Sequence, residues 1–265
     1  MDISRELIIE RCWLRFDDDP AVYAFWLEGA DSTGLVDQYS DLDLWFDVAD
    51  DHLDEVYAAI EELLAEISPL DFNYETQSAN PKIRHKIYHL QGSPEFLRLD
   101  VMLQYHSRDR SGTEFYMDDP IESPLVIFDK VGLIRFVPVD RAVLRRDLSA
   151  RLYHLLHRFS TVGVRRYVAR QEFLEAFDTY HSYVLGPLIE LLRILHTPLH
   201  PGYDLVHISR HLPAATVRAL EELHRVTSLA DILTKARQAE QLFKQTLIHV
   251  NNKLFDMDQE LDDPT

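Results

Sequence analysis

The stretch GADSTGLVDQYSDLDLWFDV, residues 29–48, sets Asp41 and Asp43 one residue apart at the head of an apolar run. In an extended strand successive side chains alternate between faces, so both carboxylates share one face about 7 Å apart while Leu42 takes the other. Carboxylates are expensive to desolvate without partners. Water, an arginine or a metal could supply the compensation, and two acids on one face can grip a divalent cation from one side. Asp100, between Leu99 and Val101 in FLRLDVMLQY, is the natural third acid from a neighbouring strand. Three such carboxylates form an all-oxygen ligand set for one or two Mg²⁺ ions, which keep positions open for phosphate oxygens. The plainer alternatives are a solvated strand face for the Asp-x-Asp pair and a salt-bridged structural acid for Asp100.

The turn before these acids offers a complement. Gly29 and Gly34 let the backbone come close to a phosphate, with the N–H groups of Ala30 and Asp31 and the side chain of Ser32 aimed inward. A phosphate cradle followed by metal ligands suits nucleotide chemistry, in which a metal polarises the α-phosphate and bridges attacking and leaving oxygens.

These residues need elements to hold them. Helical spacing over 3–15 and an apolar strand over 22–27 lead into the GADSTG turn and a second strand over 42–48. Residues 51–67 form an amphipathic helix closed by Pro69, and strands are expected over 70–76, 83–90 and 95–105. The polar stretch 107–124 reads as an exposed loop, followed by a small strand pair, LVIFDK with LIRFVP. Beyond Pro138 the pattern turns helical, near 141–160, 169–196, 213–226 and 228–256, and the tail DMDQELDDPT is expected to fray. Strands first and helices afterwards predict an α+β chain. A catalytic domain over 1–139, with a mixed β-sheet flanked by helices, precedes an all-α helical bundle over 140–265.

The helical half carries further polar candidates. Arg165, Arg166, Arg170 and Glu172 in VRRYVARQEFLEAF could reach a cleft, with an arginine on triphosphate and Glu172 as an alternative base; the plainer reading is a solvated helix face with ion pairs such as Arg170 with Glu175. His207, Arg210 and His211 can line a pocket or simply cap a helix end near Pro213. The spacing of Arg151 and His157 resembles a short motif of helical ribonuclease domains.

Composition limits the partners. Forty-five acids against 27 bases give a formal charge of −18, and no basic stripe for long nucleic acid is visible. An acidic surface can concentrate cationic small molecules. The single cysteine, Cys12, excludes an internal disulfide framework and a cysteine-based zinc cluster, and the histidines show no zinc spacing. No run approaches the roughly 18–20 apolar residues that span a bilayer, and MDISRELIIERCW does not read as a signal peptide, so a cytoplasmic location is expected.

Gly29-Ala30-Asp31-Ser32-Thr33-Gly34 with Ser40-Asp41-Leu42-Asp43-Leu44 resembles the nucleotidyltransferase signature of the polymerase-β superfamily, closest to its antibiotic (aminoglycoside) nucleotidyltransferase branch. That branch pairs the catalytic domain with a C-terminal helical bundle, and EFLEAFDTYHSYVLGPLIELLRIL with HISRHLP is similar to its helical region. The resemblance implies ATP or another nucleoside triphosphate, two Mg²⁺, and transfer of a nucleoside monophosphate to a hydroxyl of a small acceptor with release of pyrophosphate. By position, Asp41, Asp43 and Asp100 would be metal ligands, Asp100 could take the acceptor's proton, and Gly29 would sit at the triphosphate, with Ala30, Asp31, Ser32 and Ser40 beside the nucleotide. Two positions depart from the family: Ala30 stands where it usually has Ser, and Thr33 where it has a basic residue. Those departures keep open a non-catalytic nucleotide-sensing or partner-binding module, and a protein-nucleotidylating enzyme is a further alternative. Monomer and homodimer are equally compatible with the sequence.

Overall fold

The computed structural model describes residues 3–117 and 119–262. The chain divides into two compact units, Met1–Val139 and Asp140–Thr265.

The first unit runs α1 (Arg5–Phe16), β1 (Val22–Leu27), α2 (Gly29–Thr33), β2 (Leu42–Val48), α3 (Leu53–Ile67), β3 (Leu70–Thr76), β4 (Ile83–Leu90), β5 (Leu99–Tyr105), β6 (Glu114–Tyr116), β7 (Leu125–Asp129) and β8 (Arg135–Val137). Six strands form one mixed sheet in the order β3-β4-β5-β2-β1-β7. Its one parallel pair is β2 with β5; the other neighbours run antiparallel. The period of two then sorts the side chains. Leu42, Leu44, Phe46 and Val48 of β2 and Leu99, Val101 and Leu103 of β5 enter a core with Ile8, Cys12 and Phe16 of α1 and the apolar stripe of α3. Each large apolar side chain buried there contributes roughly 2 kcal/mol. The intervening positions, Asp43, Trp45 and Asp47 on β2 and Asp100, Met102 and Gln104 on β5, take the opposite face. There Trp26 and Trp45 stack at 5.7 Å with Ala24, Leu133 and Ile134 around them.

Four expectations need correction in this unit. GADSTG is a short helix, α2, closed by Gly34 in the left-handed region, rather than an open turn. Residues 95–98 precede β5 instead of belonging to it. The stretch 107–124 is not simply an exposed loop: it holds a 3₁₀ turn (Arg110–Thr113) and β6, and Thr113 and Asp119 are buried. LVIFDK and LIRFVP do not pair with each other. The carboxylate of Asp129 accepts from the N–H groups of Val131, Leu133 and Ile134 at 3.2, 3.0 and 2.8 Å. This turn sends β8 away from β7, so β7 joins β1 and β8 pairs in parallel with β6.

The second unit holds α4 (Arg141–Arg158), α5 (Val162–Ala169), α6 (Phe173–Tyr180), a π-helical turn (His181–Leu185), α7 (Gly186–His196), α8 (Ile208–His211), α9 (Ala214–His224) and α10 (Leu229–Asp262) around its own apolar core. α5 was not expected, because VGVRRYVA is poor in helix formers; burial of Val164 and Val168, one turn apart, holds it. The helix expected over 169–196 starts only at Phe173, after Gln171 in the left-handed region, and passes through the π turn before Pro187. The tail does not fray from residue 256: α10 continues to Asp262, because Leu254 and Met257 still pack on the core. Residues 263–265 of that tail lie outside the described residues. No helix among the described residues is long and apolar enough to cross a membrane.

Candidate active site

Register brings the acids together. β2 and β5 are adjacent and parallel, and Asp43 lies directly opposite Asp100, about one strand spacing of 4.8 Å away on the same face. Asp41 sits one residue before β2, exposed at the lip. On the other side of β2, Glu28 follows the last residue of β1 and its N–H donates to the Asp43 carbonyl at 3.3 Å. Glu28, Asp43 and Asp100 thus form one row across three strands, a row that the sequence reading completed only in part.

Burial dominates the electrostatics, and crowding of like charges adds to it. Burial pushes the Asp43 carboxyl up to about 7, and the nearby Asp41, Asp100, Glu28 and Asp31 push in the same direction. Burial also raises Glu28 to about 7, although the Trp26 Nε1–H donates to Glu28 Oε1 at 2.8 Å and opposes the shift. Asp100 is raised by burial too, against a hydrogen bond from His85. Half-buried acids this close together also repel one another when ionised, so Asp43 and Glu28 keep protons up to near neutrality and Asp100 is shifted in the same direction. An all-oxygen carboxylate set of this kind fits a hard divalent cation, which Asp41, Asp43 and Asp100 could hold.

Gly29 completes the wall. Its φ of +66° lies where only glycine rests without strain, and a Cβ built there would overlap Asp43 Oδ2. The sequence assigned this glycine to close approach of a phosphate; the group it admits here is the Asp43 carboxylate. Arg5, which the sequence reading passed over, ties α2 to the start of β2. Its guanidinium bonds both oxygens of Asp31 at 3.0 Å and donates to the carbonyls of Ser40 and Asp41 at 3.4 and 2.5 Å.

The remaining predicted residues are placed as follows. Ala30 and Asp31 lie in α2, with the Asp31 carboxylate turned to Arg5 rather than presented to a ligand. Ser32 spends its hydroxyl proton on the Gly29 carbonyl at 2.9 Å, so the expected inward donor is turned back on its own helix. Ser40 is held in a tight turn, accepting from the Asp37 N–H and donating to the Asp37 carboxylate, both at 3.0 Å. In the helical unit, Arg170 and Glu172 flank Gln171 between α5 and α6 and face each other at 4.0 Å, both largely exposed. The Arg170 partner is therefore Glu172, not Glu175. His211 Nδ1 meets the buried Arg193 at 2.9 Å, and Arg193 also donates to the carbonyls of Asp204 and Val206, so this segment is a pinned connection between helices. Arg151 pairs with Glu190 at 2.9 Å, while the His157 ring meets the Tyr153 carbonyl at 2.8 Å.

Below the acids, the same face carries a polar layer that spacing alone did not reveal. Asp47 is fully buried, accepting from Gln104 and His106 at 2.6 Å each, and Arg108 donates to Gln104 at 2.6 Å while lying over Trp45. The signal was present in part: an acid at the end of VYAFWL and an acid inside LDLWFDV both interrupt apolar strands. What it lacked was the strand order.

No family model matches the chain, and no curated protein matches it. Among solved structures it is similar to an aminoglycoside 6-adenyltransferase from Bacillus subtilis, with 14% identity over 98% of this chain and 97% of that one and a TM-score of 0.39. It is also similar to a STING-associated CdnE c-di-GMP synthase from Capnocytophaga granulosa, with 12% identity over 94% and 80% of the two chains and a TM-score of 0.30. A third similarity is to JHP933 from Helicobacter pylori, with 13% identity over 97% and 94% and a TM-score of 0.29. Similarities of this size leave the functional reading to the side chains themselves.

Proposed function

We propose that the chain is a divalent-metal-dependent nucleotidyltransferase that moves a nucleoside monophosphate, AMP from ATP, onto a hydroxyl of a small acceptor and releases pyrophosphate. The observation that carries this reading is the in-register pair Asp43 and Asp100 on adjacent parallel strands, with Gly29 packed against the Asp43 carboxylate. Asp41, Asp43 and Asp100 would hold Mg²⁺, which would neutralise phosphate charge and make the α-phosphorus more electrophilic. Asp43, whose carboxyl is raised to about 7 by burial and its acidic neighbours, would give up its proton to such a cation, because only the ionised carboxylate is a ligand. Arg5 keeps α2 against the head of β2, so that Gly29 and the acids hold one geometry during the reaction. The acceptor oxygen bonds to the α-phosphorus as the bond to pyrophosphate breaks, and its proton passes to the Asp100 carboxylate.

The formal charge of −18 supports a cationic acceptor of the aminoglycoside kind and argues against long nucleic acid. A cytoplasmic setting belongs to the same reading. A panel of hydroxylated acceptors screened for pyrophosphate release with Mg·ATP tests it. Release that depends on acceptor and metal and is lost in Asp43→Asn supports transfer; full release from Asp41→Ala and Asp43→Ala proteins with a confirmed acceptor contradicts it.

A further inference from the structure

Asp100 is not left to find its own orientation. Its Oδ1 lies 2.6 Å from His85 Nε2, and the other ring nitrogen of His85, Nδ1, lies 3.1 Å from Thr76 Oγ1. The three residues come from three neighbouring strands. Thr76 on β3 is in register with His85 on β4, and β4 pairs antiparallel with β5, where Asp100 stands opposite Ile87 and His85 opposite Met102. Alternation in IRHKIYHL sends Arg84 and Lys86 toward the Tyr57 ring of α3. The same alternation puts His85 on the opposite face, with the acids.

The chemistry of the contact assigns the protons. A ring nitrogen 2.6 Å from a carboxylate oxygen carries the proton and donates it. In the neutral imidazole Nδ1 is then the acceptor, and the Thr76 hydroxyl donates to it. The Asp100 carboxylate thereby selects the Nε2–H tautomer, Thr76 anchors the other ring nitrogen, His85 fixes the rotamer of Asp100, and one oxygen of Asp100 remains for a cation or an acceptor proton. Both side chains of the His85–Asp100 pair are mostly buried, 26% and 17% exposed, so the contact is shielded from competing water.

We propose that His85, anchored at its other ring nitrogen by Thr76, is a positioning residue that orients Asp100 for divalent-cation binding. The inference rests on the metal reading given above and adds to it a relay reaching outward from the acids: Thr76, His85, Asp100. Partners of this kind behind a metal-binding residue are worth roughly 10–100-fold in affinity.

Mn²⁺ affinity of the full chain, measured by calorimetry without nucleotide, tests it apart from turnover. The expected results are an affinity in His85→Ala at least about 10-fold weaker than in the unaltered chain, a smaller loss in Thr76→Val, and recovery in His85→Gln, whose amide restores an N–H donor. The unaltered thermal transition of His85→Gln guards against a folding artefact. Side-chain ¹⁵N spectra of the metal-free protein should show His85 protonated at Nε2. Equal Mn²⁺ affinity in the unaltered chain and a folded His85→Ala overturns the inference while leaving the metal reading in place, provided that Asp43→Ala has lost binding. No Mn²⁺ binding by the unaltered chain, or binding indifferent to Asp43→Ala, overturns both.

Discussion

Asp43 is the residue on which most of the account turns, and its environment makes a pH prediction with a definite sign. Its carboxyl is raised from an ordinary value of 3.8 to about 7, first by burial and then by the surrounding acids. A raised acid favours the protonated folded state, so its contribution to stability is fully present below about pH 4. That contribution is lost as pH rises toward and through 7 in the metal-free protein. A cation competes with that proton. The rise in Tm produced by millimolar Mg²⁺ should therefore be larger at pH 8 than at pH 6, and the difference should vanish in Asp43→Asn; an equal rise at both pH values would count against the assignment. Gly29→Ala is the second prediction at this scale. The positive φ alone costs about 1–3 kcal/mol for a residue with a Cβ, and the overlap with Asp43 adds displacement of that carboxylate. Urea unfolding should show the loss, and Mn²⁺ binding should weaken with it. Asp43 and Asp100 stand out in the sequence because each interrupts an apolar run, with Asp41 at the head of the first. Glu28 was open to the same reasoning, yet a single acid at a strand end has many ordinary explanations. Arg5 and His85 were not legible, because their roles depend on partners 26 and 15 residues away.

Elements with a long, clean period were readable: α1, α3, β1, β2 and β4 stand within a few residues of the expected positions. Strand order was not, since pairing is a non-local choice that periodicity does not encode. β6, three residues long, carries too few alternations to register as a strand, whereas β8 lies within the expected strand LIRFVP but takes β6 as its partner instead of LVIFDK. Their pairing is supported by the Glu114–Arg135 ion pair at 3.0 Å and the Phe115–Phe136 contact. At this scale the testable joint is Arg5, which links α1 to both α2 and the head of β2. Its pair with Asp31 is largely buried, at 13% and 8% exposure. Removing one partner of a shielded, charge-assisted pair costs about 2–3 kcal/mol. Arg5→Ala should lose about that much in urea unfolding, and any nucleotidyl transfer should fall with it. Unchanged stability would mean that α2 is held by something else.

At the scale of the whole molecule, the chain divides into two compact units, Met1–Val139 and Asp140–Thr265. Each unit has its own buried apolar cluster. The formal charge of −18 is a property of the entire surface and makes a prediction of its own. If the acceptor is cationic, attraction toward the acidic protein is screened as ionic strength rises. The acceptor KM should then increase severalfold between low salt and about 0.5 M, with kcat little changed, in steady-state assays. A salt-independent KM would remove the case for a cationic acceptor and leave the transfer chemistry untouched.

Calorimetry with Mg·ATP on the unaltered chain and on Asp43→Ala tests the central claim most directly. The account predicts metal-dependent nucleotide binding by the unaltered chain, abolished by chelation of the metal and by Asp43→Ala. No heat at millimolar nucleotide, or equal binding by the two proteins, would contradict it.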